Sequence, residues 1–270
     1  SRSISGRNCT SRAGTWAAVR EMSEDRIYTI AGNGESGEIE PFRFNDEVAA
    51  VFPDMLRRSI PGYAASLEAI GSLAARYVRA NSNCYDLGCS LGAASLAMRQ
   101  GIRAEGCRIV AIDNAPAMIE RCRNIVQEEC LREPAGAPIE VVPGDILEAR
   151  LSNASMVVLN YTLQFLPVAE RDTLIKRIFE GLNDGGLLVL SEKVVDPDPA
   201  MEALLVDLHH EHKRRNDYSA LEISRKRAAL ENVLVPETVK QHRERLLRAG
   251  FGSAAVWLRY FNFVSIIAIR

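Results

Sequence analysis

Cys84-Tyr85-Asp86-Leu87-Gly88-Cys89-Ser90-Leu91-Gly92-Ala93-Ala94-Ser95 is the stretch that decides the fold. A short apolar run meets an acid, then a glycine-rich turn, then small residues that open a helix. Glycine lets a backbone approach a ligand that any side chain would block. Open α/β sheets bind ligands at such strand-to-helix turns, outside the carboxyl ends of their strands. The spacing Asp86-x-Gly88-x-x-x-Gly92 is not the dinucleotide fingerprint G-x-G-x-x-G. A tight structural turn with no ligand is the competing reading, and the rest of the chain has to choose between them.

The chain has 270 residues, enough for one large α/β domain or a domain with a cap. A formal net charge of -2 excludes the whole-chain basic field that dominates nucleic-acid binding. The cysteines (Cys9, Cys84, Cys89, Cys107, Cys122, Cys130) form no C-x-x-C pair and read as small buried apolar residues in a reducing, cytoplasmic setting. No apolar run reaches the length of a membrane span. Residues 1–21 have no hydrophobic period and no signal-peptide core, and Met22 looks like a natural start. They are expected to be a disordered extension. Residues 22–270 are expected to form a single α/β ligand-binding domain with a helical cap at about 196–235.

Outward from the opening stretch, strands alternate with helices. Strand Cys84–Leu87 precedes helix Ala93–Gly101, and strand Arg108–Ile112 precedes helix Pro116–Glu129. Strands Ile139–Val142 and Met156–Leu159 follow, then helix Ala169–Leu182. A turn at Asn183-Asp184-Gly185-Gly186 leads into strand Leu187–Ser191. Such alternation implies a mostly parallel sheet covered on both faces. The rhythm breaks at Asp196-Pro197-Asp198-Pro199, where two polar helices, Met201–Arg215 and Ser219–Asn232, form the inserted cap. Another helix runs from Pro236 to Gly250, and Ser253–Tyr260 and Phe263–Ile269 close the chain as an antiparallel hairpin. On the N-terminal side, Asn45 caps a short helix, Pro53 is expected to start a second one, and a third carries Leu67, Ile70, Leu73, Ala74 and Tyr77. The expected fold is a Rossmann-like, seven-stranded sheet with the cap inserted.

Each strand end then offers a ligand group. Asp113, 27 positions after Asp86, lies where an acid reaches ribose hydroxyls. A helix-capping acid is its plainer reading. Asp145 could accept from an adenine amino group while Ile146 covers the ring; a simple Gly-Asp turn competes. Asn160 opens Asn160-Tyr161-Thr162-Leu163, without the paired prolines of amine methyltransferases. His209, His210 and His212 lack the further ligands of a metal site, so no metal is expected. Cys89 reads as a packing residue rather than a nucleophile. The run Ser224-Arg225-Lys226-Arg227 is either a solvated helix face or a lid that grips a carboxylate.

From about Phe42 to Ile269 the chain resembles the carboxy-S-adenosyl-L-methionine synthase family. The carrying segments are Phe52-Pro53-Asp54-Met55, Ser59-Ile60-Pro61-Gly62-Tyr63, the stretch from Tyr85 to Ala93, and Ala111-Ile112-Asp113-Asn114. Further ones are Asn153–Asn160, Thr162–Leu166, Ser219–Ser224 and Arg227–Val233. This resemblance implies that S-adenosylmethionine (SAM) and prephenate become carboxy-SAM and phenylpyruvate. The product would go to a separate enzyme that carboxymethylates the wobble uridine of tRNA, with no direct contact between this chain and nucleic acid.

The resemblance also implies site roles. Tyr63 with Gly88-Cys89-Ser90 would hold the methionine part, and Asp113-Asn114 the ribose. Asp145-Ile146 would hold the adenine, Asn160 would sit at the centre, and Arg227 would pair with the new carboxylate as the catalytic cation. It implies a homodimer as well. The SAM methyl group would have to lose a proton and attack CO2, so water must be kept out, which a helical lid can do. An ordinary SAM-dependent methyltransferase and a non-catalytic SAM-binding dimer are the rival readings.

Overall fold

The computed structural model describes residues 24–27, 42–230 and 233–270. The extension expected at residues 1–21 lies outside the described residues, and so do residues 28–41. The sheet has seven strands: β1 (Asn83–Leu87), β2 (Arg108–Asp113), β3 (Ile139–Pro143), β4 (Ala154–Asn160), β5 (Leu182–Lys193), β6 (Ser253–Tyr260) and β7 (Phe263–Ile269). Their order is β3-β2-β1-β4-β5-β7-β6. The first five are parallel; β7 runs antiparallel to β5 and to β6. This is the expected fold class. The order reverses between β1 and β4, so the turn after β1 stands at the switch point, where a crevice opens.

Helices cover both faces. Side chains alternate along each strand, so Ile109, Met156, Val158, Leu187 and Val189 pack with α2 (Tyr63–Tyr77) and α3 (Ala93–Gly101). Val110, Val157, Leu159, Leu188 and Leu190 pack on the other side with Leu174, Ile175, Ile178 and Leu246, from α5 (Val168–Gly181) and α8 (Val239–Ala249). Near-continuous apolar strands are the consequence of burying both faces. Each fully buried aliphatic side chain contributes roughly 1.5–3 kcal/mol. Among these helices, α8 is fastened at its start by a reciprocal pair: Gln241 N–H donates to Thr238 Oγ1, and Thr238 N–H donates to Gln241 Oε1.

Two expectations are corrected. Pro53 does not start a new helix; it lies inside α1 (Asp46–Ser59), which Asn45 caps by accepting from Val48 N–H at 3.0 Å. The missing N–H is tolerated because both sides of the proline are anchored. Val48, Ala49, Val51, Phe52 and Met55 share a core with Leu91 and with Met118 of α4 (Pro116–Arg132), while Asp54 accepts from Arg57 and Arg58. The second correction concerns Asn183–Gly186, which is part of β5 rather than a turn before it. Ala154 pairs with Leu182 and Met156 with Leu187, so the glycine-bearing segment bulges between two paired stretches.

The cap leaves the sheet after Val194 and returns at Glu237, where these two residues form a parallel bridge. Between them lie α6 (Pro199–Arg215), started by Asp198 and Pro199, and α7 (Ala220–Leu230). Ser219 and Glu222 bond each other's backbone N–H at the start of α7. Among the described residues no helix is long and apolar enough to cross a membrane.

Candidate active site

Parallel pairing brings the carboxyl ends of β3, β2, β1, β4 and β5 along one edge: Asp113 faces Pro143, Leu87 faces Ile112, and Asn160 faces Ser191. The expected residues Gly88, Cys89, Ser90, Asp113, Asn114, Asp145, Ile146 and Asn160 all follow or end these strands. Tyr63 starts α2 beside them, its ring 6.3 Å from that of Tyr161. Burial, and then the Asp86 charge, push its phenol well above the usual range.

The turn after β1 is held by its own backbone. Gly88 N–H and Cys89 N–H both donate to Ile112 O, at 2.8 and 3.0 Å, and Ser90 N–H donates to Asp113 Oδ2 at 2.8 Å. Gly88, Ser90 and Gly92 all have positive φ, at 77°, 48° and 82°. A Cβ on Gly88 would stand 2.3 Å from Thr162 Cγ2, so only glycine fits. With those N–H groups engaged, the turn has few backbone donors left to offer a ligand. That suits an ammonium better than a phosphate. Beneath it, Asp86 accepts from Ser95 N–H and Ser95 Oγ at 2.9 and 2.7 Å. Burial pushes its carboxyl up to about 6.

Asp113 is not a plain helix cap: α4 starts after Ala115. One carboxylate oxygen takes Ser90 N–H and the other takes Ala115 N–H, so the acid ties the turn after β1 to the end of β2 and still has lone pairs to spare. Asn114 beside it is exposed. Asp145 is exposed and turns the chain by accepting from Leu147 N–H, while Ile146 is buried in the core. Asn160 Oδ1 is buried and has no hydrogen-bond partner among the described residues, so its acceptor capacity is unused. Cys89 packs with Cys122 and Val126, as a small apolar residue would.

Arg227 is exposed on α7. Its charge reaches Lys193, at the end of β5, and His210 on α6. Sequence reasoning missed several groups here. Asp25 is buried and accepts from Lys226 at 3.3 Å and from Tyr218. Lys226 also donates to Ser59 Oγ at 3.0 Å. Glu192 accepts from Leu163 N–H and Gln164 N–H at 3.0 Å each, holding the short 3-10 turn Leu163–Phe165 that follows Asn160. A lone Asp ahead of the resembling stretch and a Glu inside an apolar strand gave no motif to read. The histidines of α6 are each engaged separately: His209 bonds Ser59 O and meets Phe263 edge-on, while His212 bonds Asn216.

A methyltransferase-domain family model matches residues 85–186. The carboxy-S-adenosyl-L-methionine synthase of Trichlorobacter lovleyi is 52% identical over 233 residues, covering 86% of this chain and 94% of that protein. The chain belongs to the carboxy-S-adenosyl-L-methionine synthase family. The synthase of Yersinia pestis is 53% identical over 227 residues, 84% of each chain. Solved structures agree on the fold. A putative SAM-dependent methyltransferase from Methanococcus maripaludis has a TM-score of 0.56 at 19% identity, over 86% of this chain and 95% of that one. Human N-acetylserotonin methyltransferase in complex with SAM has a TM-score of 0.55 at 18% identity; the match covers 83% of this chain and spans 55% of that longer one.

Proposed function

We propose that this enzyme converts SAM and prephenate into carboxy-SAM and phenylpyruvate. The observation that carries the reading is 52% identity to a carboxy-SAM synthase across 86% of the chain, with Arg227 standing exposed on the cap helix α7. Bound SAM supplies a methyl carbon made acidic by the adjacent sulfonium. The remaining work belongs to the chain. Carbonyl oxygens of the Gly88–Ser90 turn receive the methionine ammonium, with Tyr63 closing that side. Asp113, with Asn114, accepts from the ribose hydroxyls, and Asp145 and Ile146 border the adenine. Asn160 Oδ1 orients the methionine end at the centre.

In the balanced reaction, the ring carboxylate of prephenate leaves as CO2 and its ring hydroxyl leaves as hydroxide. Aromatisation drives both departures. The hydroxide takes the methyl proton and becomes water, and the methyl carbon bonds CO2. No dedicated protein base is then required. Arg227 holds the carboxylate as it forms, a fixed cation placed where negative charge develops. Helices α6 and α7 exclude bulk water from the carbon nucleophile. We further propose that the chain works as a cytoplasmic homodimer and that its product serves a tRNA carboxymethyltransferase at the wobble uridine. Incubation with SAM, with and without prephenate, tests the reading. A product heavier than SAM by one CO2, formed only with prephenate, supports it; S-adenosylhomocysteine as the sole product, or no product, sinks it.

A further inference from the structure

A buried polar cluster ties the cap to α1 and to the segment ahead of it. Asp25, 1% exposed, stands at its centre. Asp25 N–H donates to Asp54 Oδ2 at 3.0 Å, and Asp25 O accepts from Arg58 at 3.2 Å, so the residue is fixed to α1. Its carboxylate Oδ2 accepts from Tyr218, which lies between α6 and α7, and from Lys226 of α7 at 3.3 Å. Lys226 also donates to Ser59 Oγ, at the end of α1, at 3.0 Å. Arg58 donates to Asn216 O at 2.7 Å and lies 4.1 Å over the Tyr218 ring. The end of α6, the turn after it and α7 are thus pinned to α1, with one acid from outside the cap at the junction.

The same elements border the strand-end turns. Ala229 of α7 shares a hydrophobic core with Leu91, from the turn after β1, and with Phe52 of α1. Phe42 N–H donates to Ala229 O at 3.0 Å. Phe44 meets Phe165, in the 3-10 turn after Asn160, with ring centroids 5.4 Å apart, and meets Phe52 at 5.9 Å. Where the cap returns, Val235 N–H donates to Gln164 O of that 3-10 turn at 2.9 Å. Helix α7 therefore shares its packing with the turn after β1, and the cap is bonded to the turn after β4. Lys226 is buried and its chain neighbour Arg227 is exposed, so fixing Lys226 fixes the backbone that carries Arg227. Asp25 Oδ1 is buried without a partner among the described residues, so the cluster is only partly satisfied. That suits a contact which opens for substrates to enter and products to leave.

We propose that Asp25 is a positioning residue for the carboxylation: it latches α7 to α1 and so keeps the cap closed while CO2 passes to the methyl carbon of SAM. This inference rests on the prephenate reading. Without the Asp25 charge, Lys226 is a buried cation with no counter-ion, and the chain relieves that cost by letting α7 swing out into water. With the cap ajar, prephenate still aromatises. Its hydroxide and CO2 then combine in water as bicarbonate, and the methyl proton stays on SAM. Phenylpyruvate forms without carboxy-SAM, so the latch is read in the ratio of the two products and not only in the rate.

Wild-type protein with SAM and prephenate should give carboxy-SAM and phenylpyruvate in equal amounts. Asp25→Asn should lower the ratio of carboxy-SAM to phenylpyruvate about threefold or more. Its affinity for S-adenosylhomocysteine should stay within about twofold, because the lost charge lies outside the turns proposed to hold SAM. Tyr218→Phe, which removes one bond to the same carboxylate, should shift the ratio in the same direction and serves if Asp25→Asn does not fold. Hydrogen–deuterium exchange with S-adenosylhomocysteine bound should quicken over α7 in both variants while α3 keeps its protection. Equal amounts of the two products in both variants overturn the latch even if both rates fall, because a residue that only stabilises the fold lowers the two products together. Unchanged exchange over α7 overturns it as well. Failure of the wild-type protein to form carboxy-SAM overturns the prephenate reading instead, and the exchange comparison then still decides the latch.

Discussion

Ser90 N–H donates to Asp113 Oδ2 at 2.8 Å, so the turn after β1 is fastened to the last residue of β2. The carboxylate proposed to bind the ribose therefore also sets the shape of the loop proposed to hold the methionine part. Asp113→Ala should lose both effects and weaken SAM binding by about tenfold or more, equivalent to ~1.4 kcal/mol or above. Titration calorimetry checks this. An unchanged dissociation constant would remove Asp113 from ligand binding.

Gly88 is the second fixed point. Its φ of 77° and the 2.3 Å approach to Thr162 Cγ2 leave no room for a methyl group. Gly88→Ala should lower stability by roughly 1–3 kcal/mol through backbone strain and the displaced threonine. It should weaken SAM binding in parallel. Differential scanning fluorimetry with and without SAM reads both effects, and a wild-type midpoint with a wild-type ligand shift would refute the steric account.

The sheet was legible because strands buried on both faces read as apolar runs ended by an acid or amide, as in Ile109–Asp113 and Met156–Asn160. The residues gathered at the edge were legible for the same reason, since parallel strands align their ends. Pro53 misled because a local rule, the missing N–H, was outweighed by long-range packing of Phe52 and Met55. Gly185-Gly186 read as a turn because a β-bulge uses the same residues. Lys213 and Lys226 stayed invisible: a lysine reads as solvent-exposed until the fold closes over it. Asp25 was unreadable for a related reason, because its partners Lys226 and Tyr218 lie some two hundred positions away.

His209 gives a pH signature. It is buried between Phe263 and Ser59 O, and burial lowers its ring to about 2. The folded state therefore keeps it neutral, while the unfolded chain protonates it near its ordinary value. The stability it confers is present above pH ~6.5 and is lost as pH falls below that. Other buried acids, Glu192 among them, shift the opposite way, so a difference measurement isolates the histidine. The stability gap between wild type and His209→Gln should shrink by about 2 kcal/mol from pH 7 to pH 5. Urea unfolding at the two pH values measures it, and a gap independent of pH would contradict the neutral, buried ring.

Arg227 separates chemistry from binding. The exposed guanidinium lies on the cap helix α7, a different element from the strand-end turns proposed to hold SAM. Arg227→Ala should leave SAM affinity within about twofold while lowering carboxy-SAM formation by at least ~100-fold. Arg227→Lys should recover only part, because it keeps the charge and loses the bidentate fork. Single-turnover assays read these effects, and full turnover by Arg227→Ala would remove the residue from the mechanism.

The most direct measurement follows one carbon atom. Prephenate isotopically labelled at its ring carboxylate is incubated with SAM and the protein, and the products are weighed by mass spectrometry. The label should appear in a SAM derivative heavier by one labelled CO2, with unlabelled phenylpyruvate formed in equal amount. Label found only in free CO2, or a product that carries no label, would contradict the carboxylation of SAM by prephenate.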